Sequence, residues 1–292
     1  MNGYVDFHSG VLPRLDVENM DEELDRCVEI LKILHKAKIK TVVATPYFNS
    51  VDSNITSFLE TRKEALALLN NKIKNMSLPR IIPGAEVLFT TSLLDVSDTS
   101  ELCVGDTNYI ILSLPYQEYS DMVVETLQKL IISKNLCPII AHIEKYYPEF
   151  YSMEQLEKIS HLGVIMQLSC DAMINRSTRK SALELLTKNV VQIIGSNDIT
   201  KQNSHRTALE TAMDVLNKDV SSYAAIDVLN KDLKDIHVED FKAGVNEAIS
   251  PSPRYADAIR IMRYHLPLGK YKQIKNNAGM IISNANIKDI MC

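Results

Sequence analysis

Polar residues stand where several apolar runs of this sequence stop. Asp6 and His8 close YVDFH (4–8), Glu86 falls within RIIPGAEV (80–87), and His142 and Glu144 follow CPIIA. Asn197 and Asp198 follow VVQIIGS (190–196). Imidazole and carboxylate together suit a borderline or hard divalent cation such as Zn, Mn or Fe. One histidine at a strand end is an ordinary hydrogen-bonded residue; two, with a glutamate, on three strands make a metal-dependent hydrolase a question worth asking. Cys170 follows GVIMQLS (163–169) as a candidate nucleophile, but no partner base is identifiable, so a buried thiol is expected.

The elements that must carry these residues follow from hydrophobic patterning. Seven apolar runs, 4–8, 39–46, 80–87, 109–115, 137–143, 163–169 and 190–196, are near-continuous rather than alternating, as in parallel strands covered on both faces. Helix-like stretches separate them, so a β/α barrel or a doubly wound sheet is expected, with chemistry at the carboxyl ends of the strands. Asn19 is read as the cap of the first helix, with Glu22 completing a capping box and Leu24, Cys27, Val28, Leu31 and Leu34 on its inner face. Further helices are predicted over 55–76, 120–134, 153–161, 178–188 and 206–216. The segment DVLNKD occurs at 214–219 and again at 227–232, and helices near 238–249 and 253–265 follow without intervening strands. A single domain over 1–268 and a tail over 269–292 are expected.

Composition narrows the function. A net charge of −5 lacks the electrostatic footprint of a nucleic-acid binder. No apolar run approaches the ~20 residues of a membrane helix, and residues 1–10 do not resemble a signal peptide, so a cytoplasmic protein is expected. Cys27, Cys103, Cys137, Cys170 and Cys292 form no CxxC pair, which fits scattered thiols. No GxSxG elbow, Walker loop or GxGxxG is present, which leaves serine-hydrolase, P-loop and dinucleotide readings without support.

The motifs, in order, resemble the PHP (polymerase and histidinol phosphatase) superfamily. Within it they are similar to the bacterial manganese-dependent protein-tyrosine phosphatases of capsular and exopolysaccharide synthesis. DFHSGVLPRLD stands for DxHxHxLPxxDD, VVATPYF for a strand ending in ATPHH, PGAEV for PGxE, and YIILSLPY for YxLxEFPF. CPIIAHIEK stands for PxIAHPER and IIGSNDI for the strand ending in SDAH. The resemblance covers about residues 3–250. It implies a distorted seven-stranded parallel β/α barrel, here with extra C-terminal helices, and a cluster of up to three metal ions that activates water for in-line attack on phosphorus.

His8, Glu86 and His142 match the family at ligand positions. Gly10, Val17, Tyr47, Ser113, Asn197 and Ile199 stand where it places histidine, aspartate, histidine, glutamate, aspartate and histidine, so three of nine ligand positions are kept. Lys145 replaces the arginine of HPER, which keeps charge and loses the bidentate fork. Asp16 and Asp198 are the candidate substitutes that would complete a single-ion site, and Lys145 and Arg206, beside His205, are the candidate phosphate-binding residues.

What the resemblance implies is a divergent member of this phosphatase family, catalytically impaired and acting by binding. The alternative is an active phosphotyrosine hydrolase with a reduced metal site. The implied cofactor is manganese or another divalent ion, or none. The implied partner is a bacterial tyrosine kinase or its phosphotyrosine tail. A third expectation is a scaffold that uses the barrel surface, with the segment between the DVLNKD copies as a contact element.

Overall fold

The computed structural model describes residues 4–196, apart from 38 and 189. Nine parallel strands lie among them: β1 (Tyr4–Ser9), β2 (Ile39–Ala44), β3 (Tyr47–Phe48), β4 (Arg80–Pro83), β5 (Glu86–Leu88), β6 (Tyr109–Ser113), β7 (Cys137–Ile140), β8 (Ile165–Ser169) and β9 (Ile193–Gly195). One sheet has the order β1-β2-β4 and the other β3-β5-β6-β7-β8-β9. Each of the seven apolar runs contains a strand, the run 80–87 contains two, and β3 lies just beyond the run 39–46, so nine strands stand among the described residues.

The difference has a local cause. Pro46 and Pro83 lack the N–H that a continuing ladder needs. At these points the chain steps from the first sheet to the second: Gly84 N–H donates back to the Ala44 carbonyl at 2.9 Å, and Glu86 N–H to the Pro46 carbonyl at 3.1 Å. A Cβ on Gly84 would sit 3.0 Å from Val43 Cγ1, so the crossing needs a small residue there. The step delivers Glu86 into register with Tyr47 on β3 and Ile111 on β6.

The whole curls. Ser196, just after β9, donates its N–H to Asp6 Oδ1 on β1 at 3.0 Å and its hydroxyl to the same carboxylate, drawing the two sheet edges together. Strand burial matches the continuous hydrophobicity: all five residues of β6 are buried, and Ile110, Ile111, Leu112, Ile139 and Ile140 are fully enclosed.

Helices α1 (Met20–Lys36), α2 (Ile55–Ile73), α3 (Asp121–Lys134), α4 (Met153–Ser160), α5 (Cys170–Ile174) and α6 (Arg179–Thr187) alternate with the strands. Asn19 caps α1 by accepting the Glu22 N–H, and Leu24, Cys27, Val28, Leu31 and Leu34 are buried as expected. The Glu22 carboxylate takes the Asn19 side-chain amide rather than its backbone N–H, so the reciprocal half of the expected box is not made. A full capping box forms instead at Ser152 and Gln155 on α4. The short α5 is absent from the sequence reading, because five residues carry too little periodicity to register. The predicted helices over 206–216, 238–249 and 253–265, the DVLNKD copies and the tail over 269–292 lie outside the described residues.

Candidate metal centre

Three strands deliver the site. His8 lies on β1 with Asp6 on the same face, Glu86 opens β5, and His142 follows β7. One ligand atom from each of His8, Glu86 and His142 lies within 4.8 Å of the others. His8 Nε2 is 3.1 Å from Glu86 Oε2, His142 Nε2 is 3.9 Å from Glu86 Oε1, and the two rings stand 4.7 Å apart at 47°. Donors around one tetrahedral ion with bonds of ~2.1 Å are roughly 3.4 Å apart. The observed spacings straddle that value, and the donor set fits a single divalent cation.

Burial and charge favour the ligating forms. Burial holds the His142 imidazolium back and, with His8 and Lys145, outweighs the pull of Glu144 in its favour, which suits the neutral ring that ligation requires. Burial also opposes ionisation of Glu86, but hydrogen bonding and attraction from His8, with His142 and Lys145, outweigh it and hold the carboxyl below its usual range. Asp6 is fully buried, and burial raises its pKa against the donors it receives from Ser196 and the His8 N–H. His142 has a left-handed backbone, φ 55° and ψ 43°, a region that non-glycine residues rarely enter and that recurs at functional sites. The imidazole Nδ1 atoms of His8 and His142 are both buried without a hydrogen-bond partner, as is Ser113 Oγ at the end of β6.

The other expected residues are distributed less tightly. Asp16 is exposed in the turn between β1 and α1 and is not part of the convergent trio. Lys145 is exposed at the mouth, where its charge acts on both Glu86 and His142. Asp198 and Arg206 lie outside the described residues. Gly10 and Val17 sit in the loop after β1. Tyr47 is 56% exposed rather than packed into the mouth. Cys170 is buried, and burial pushes its thiol well up, reinforced by Asp6 and other carboxylates nearby, so it is no nucleophile. Glu144 is noted in the sequence as a strand-end carboxylate without a ligand role, and Ser169 is not singled out there. Glu144 accepts the Ser169 N–H at 3.2 Å and its hydroxyl, and lies 3.8 Å from His142 Nδ1. Its position two residues after His142 was the available signal.

Residues 4–236 match the family described as capsular polysaccharide synthesis, CpsB/CapC, and the chain belongs to that family. Tyrosine-protein phosphatase CpsB of Streptococcus pneumoniae is 20% identical over 229 residues, 73% of this chain and 90% of the relative. The enzyme of the same name from Streptococcus agalactiae is 18% identical over 207 residues, 66% of this chain and 81% of the relative. A solved structure from the pair YwqE of Bacillus subtilis and CpsB of S. pneumoniae, described as unique metal-dependent tyrosine phosphatases, shares the fold. It has a TM-score of 0.63 at 20% identity and covers 78% of this chain and 90% of that one.

Proposed function

We propose that this chain is a divergent member of the capsule-linked phosphatase family that holds one divalent ion at His8, Glu86 and His142 and binds a phosphorylated tyrosine segment with impaired turnover. The convergence of that trio carries the reading. Manganese is the ion suggested by the resemblance, and the phosphotyrosine tail of a bacterial tyrosine kinase is the proposed partner, met in the cytoplasm. Among the described residues no helix is long and apolar enough to cross a membrane.

A divalent ion in such a site supplies Lewis acidity and lowers the pKa of a bound water. The chain's own residues would do the rest. Glu86 offers one oxygen toward each imidazole, and Lys145 contributes positive charge at the mouth for an arriving phosphoryl group. Impairment is supported by Ser113 and Tyr47, which offer no carboxylate or imidazole where the resemblance implies further ligands. Losing even an outer partner of a metal ligand typically costs ~10–100-fold in affinity or activity, so the loss of several ligands weighs heavily.

The test joins metal content to catalysis. Elemental analysis after incubation with manganese or zinc is expected to give about one tightly held equivalent. His142→Ala is expected to hold none and to lose phosphotyrosine-peptide binding. Hydrolysis of p-nitrophenyl phosphate is expected to be negligible. Turnover comparable to that of ordinary metallophosphatases would overturn the impaired reading in favour of an active hydrolase with a reduced site, which the same convergent trio favours. Absence of bound metal would overturn both.

A further inference from the structure

Glu144 has no role in the trio, yet it is placed against its third member. Its carboxylate side chain is almost fully enclosed, 6% exposed, and Oε1 faces His142 Nδ1 at 3.8 Å on the side of the ring away from Glu86. It is itself fixed from behind: Ser169, at the end of β8, donates both its N–H and its hydroxyl to the carboxylate. Ser169 Oγ in turn accepts the Ala172 N–H at 3.4 Å, which anchors the pair to the start of α5. A rigid acceptor thus stands beside the Nδ1 of His142, which is buried without a hydrogen-bond partner.

We infer that Glu144 is the positioning residue of His142: it holds the imidazole as the Nδ1–H tautomer and so presents the Nε2 lone pair toward Glu86. The two carboxylates stand at like distances from the ring, Glu144 3.8 Å from Nδ1 and Glu86 3.9 Å from Nε2, but Glu86 is already hydrogen-bonded to His8 at 3.1 Å, so the ring proton is left to the Glu144 side, where a slight closure makes a charge-assisted bond. Such an outer carboxylate orients a ligating histidine and raises its basicity. Ser169 serves the same end by fixing the carboxylate. The tautomer claim stands on the geometry of the protein alone; the metal-affinity claim rests on the single-ion reading proposed above.

The test has two readouts. In wild-type protein without metal, at alkaline pH, long-range proton–nitrogen correlation of the His142 ring is expected to show Nδ1 protonated. A predominantly Nε2-protonated ring would overturn the inference without any variant being made. In Glu144→Ala the ring is expected to move toward the Nε2–H form, with Glu144→Gln, which retains an acceptor oxygen, restoring much of the wild-type pattern. Zinc titration against a chromophoric chelator is expected to give ~10–100-fold weaker binding in Glu144→Ala and a smaller loss in Ser169→Ala.

A tie that merely joined the ends of β7 and β8 would leave tautomer and affinity unchanged in a folded Glu144→Ala, and that result would overturn the inference. If Glu144→Ala does not fold, the wild-type spectrum and Ser169→Ala decide. If wild-type protein binds no zinc, the single-ion reading falls and the ring spectrum still judges Glu144.

Discussion

At the residue scale, the trio persists because each member has somewhere fixed to stand. His8 is backed by the β1–β9 closure through Asp6 and Ser196, and by close packing behind it. A Cβ built on Gly195 would lie 2.0 Å from Gln167 Nε2 and 2.8 Å from His8 Cβ. Gln167 is fully buried, so neither neighbour has room to yield. Gly195→Ala is therefore expected to destabilise the fold by about 1–3 kcal/mol and to weaken metal binding by moving His8. Thermal denaturation together with zinc titration checks both effects; an unchanged melting temperature would show that the packing behind His8 is slack.

At the element scale, the approach to α1 is fastened by charge. Glu23, in the first turn, accepts the Arg14 N–H at 3.0 Å and two guanidinium bonds from Arg26 at 2.8 and 2.7 Å. The Arg26 hydrogen bonds lower its carboxyl from 4.5 to about 2 despite burial. A carboxyl depressed in the folded state adds stability above its unfolded pKa, and that stability fades as pH falls from about 4.5 to about 2. Allowing for solvent screening at the partly exposed arginines, Glu23→Gln is expected to lose on the order of 2 kcal/mol at neutral pH. The deficit relative to wild type should shrink to nothing toward pH 2, as followed by urea denaturation across pH.

The same scale shows what could be read in advance. Continuous apolar runs made the strand positions legible, and Asn19 and the spacing of Leu24, Cys27, Val28, Leu31 and Leu34 made α1 legible. The breaks at Pro46 and Pro83 were visible as residues, but the change of sheet depends on bonds from Gly84 and Glu86 to carbonyls some 40 positions earlier. Likewise His8, Glu86 and His142 are legible as candidates because each lies at or near the end of a strand. Glu144 was visible only as one more strand-end carboxylate, because its role depends on Ser169, 25 residues on.

For the whole molecule, the described core and the site are largely separate. Strand residues such as Ile111, Leu112, Ile139 and Ile140 are enclosed without help from the mouth, so the protein is expected to fold without metal. Binding should then add to stability rather than create it. A free ion at about 100 times its Kd adds ~2.7 kcal/mol, which for a chain of this size raises Tm by roughly 5–10 °C. Differential scanning fluorimetry with zinc or manganese and with chelator should show that shift in wild type and none in His142→Ala. A cooperative collapse on chelation would instead make the ion part of the fold.

The left-handed backbone at His142 makes the site subject to drift. Glycine occupies that conformation without strain, so His142→Gly is expected to be more stable than His142→Ala by about 1 kcal/mol despite glycine's greater freedom when unfolded. For a lineage with no use for the imidazole, the path of increasing stability leads away from histidine at this position. Histidine stands there nonetheless, with its ring packed against His8 and its Nε2 toward Glu86. A histidine held in a conformation that glycine would relieve is what a site that uses the imidazole accepts.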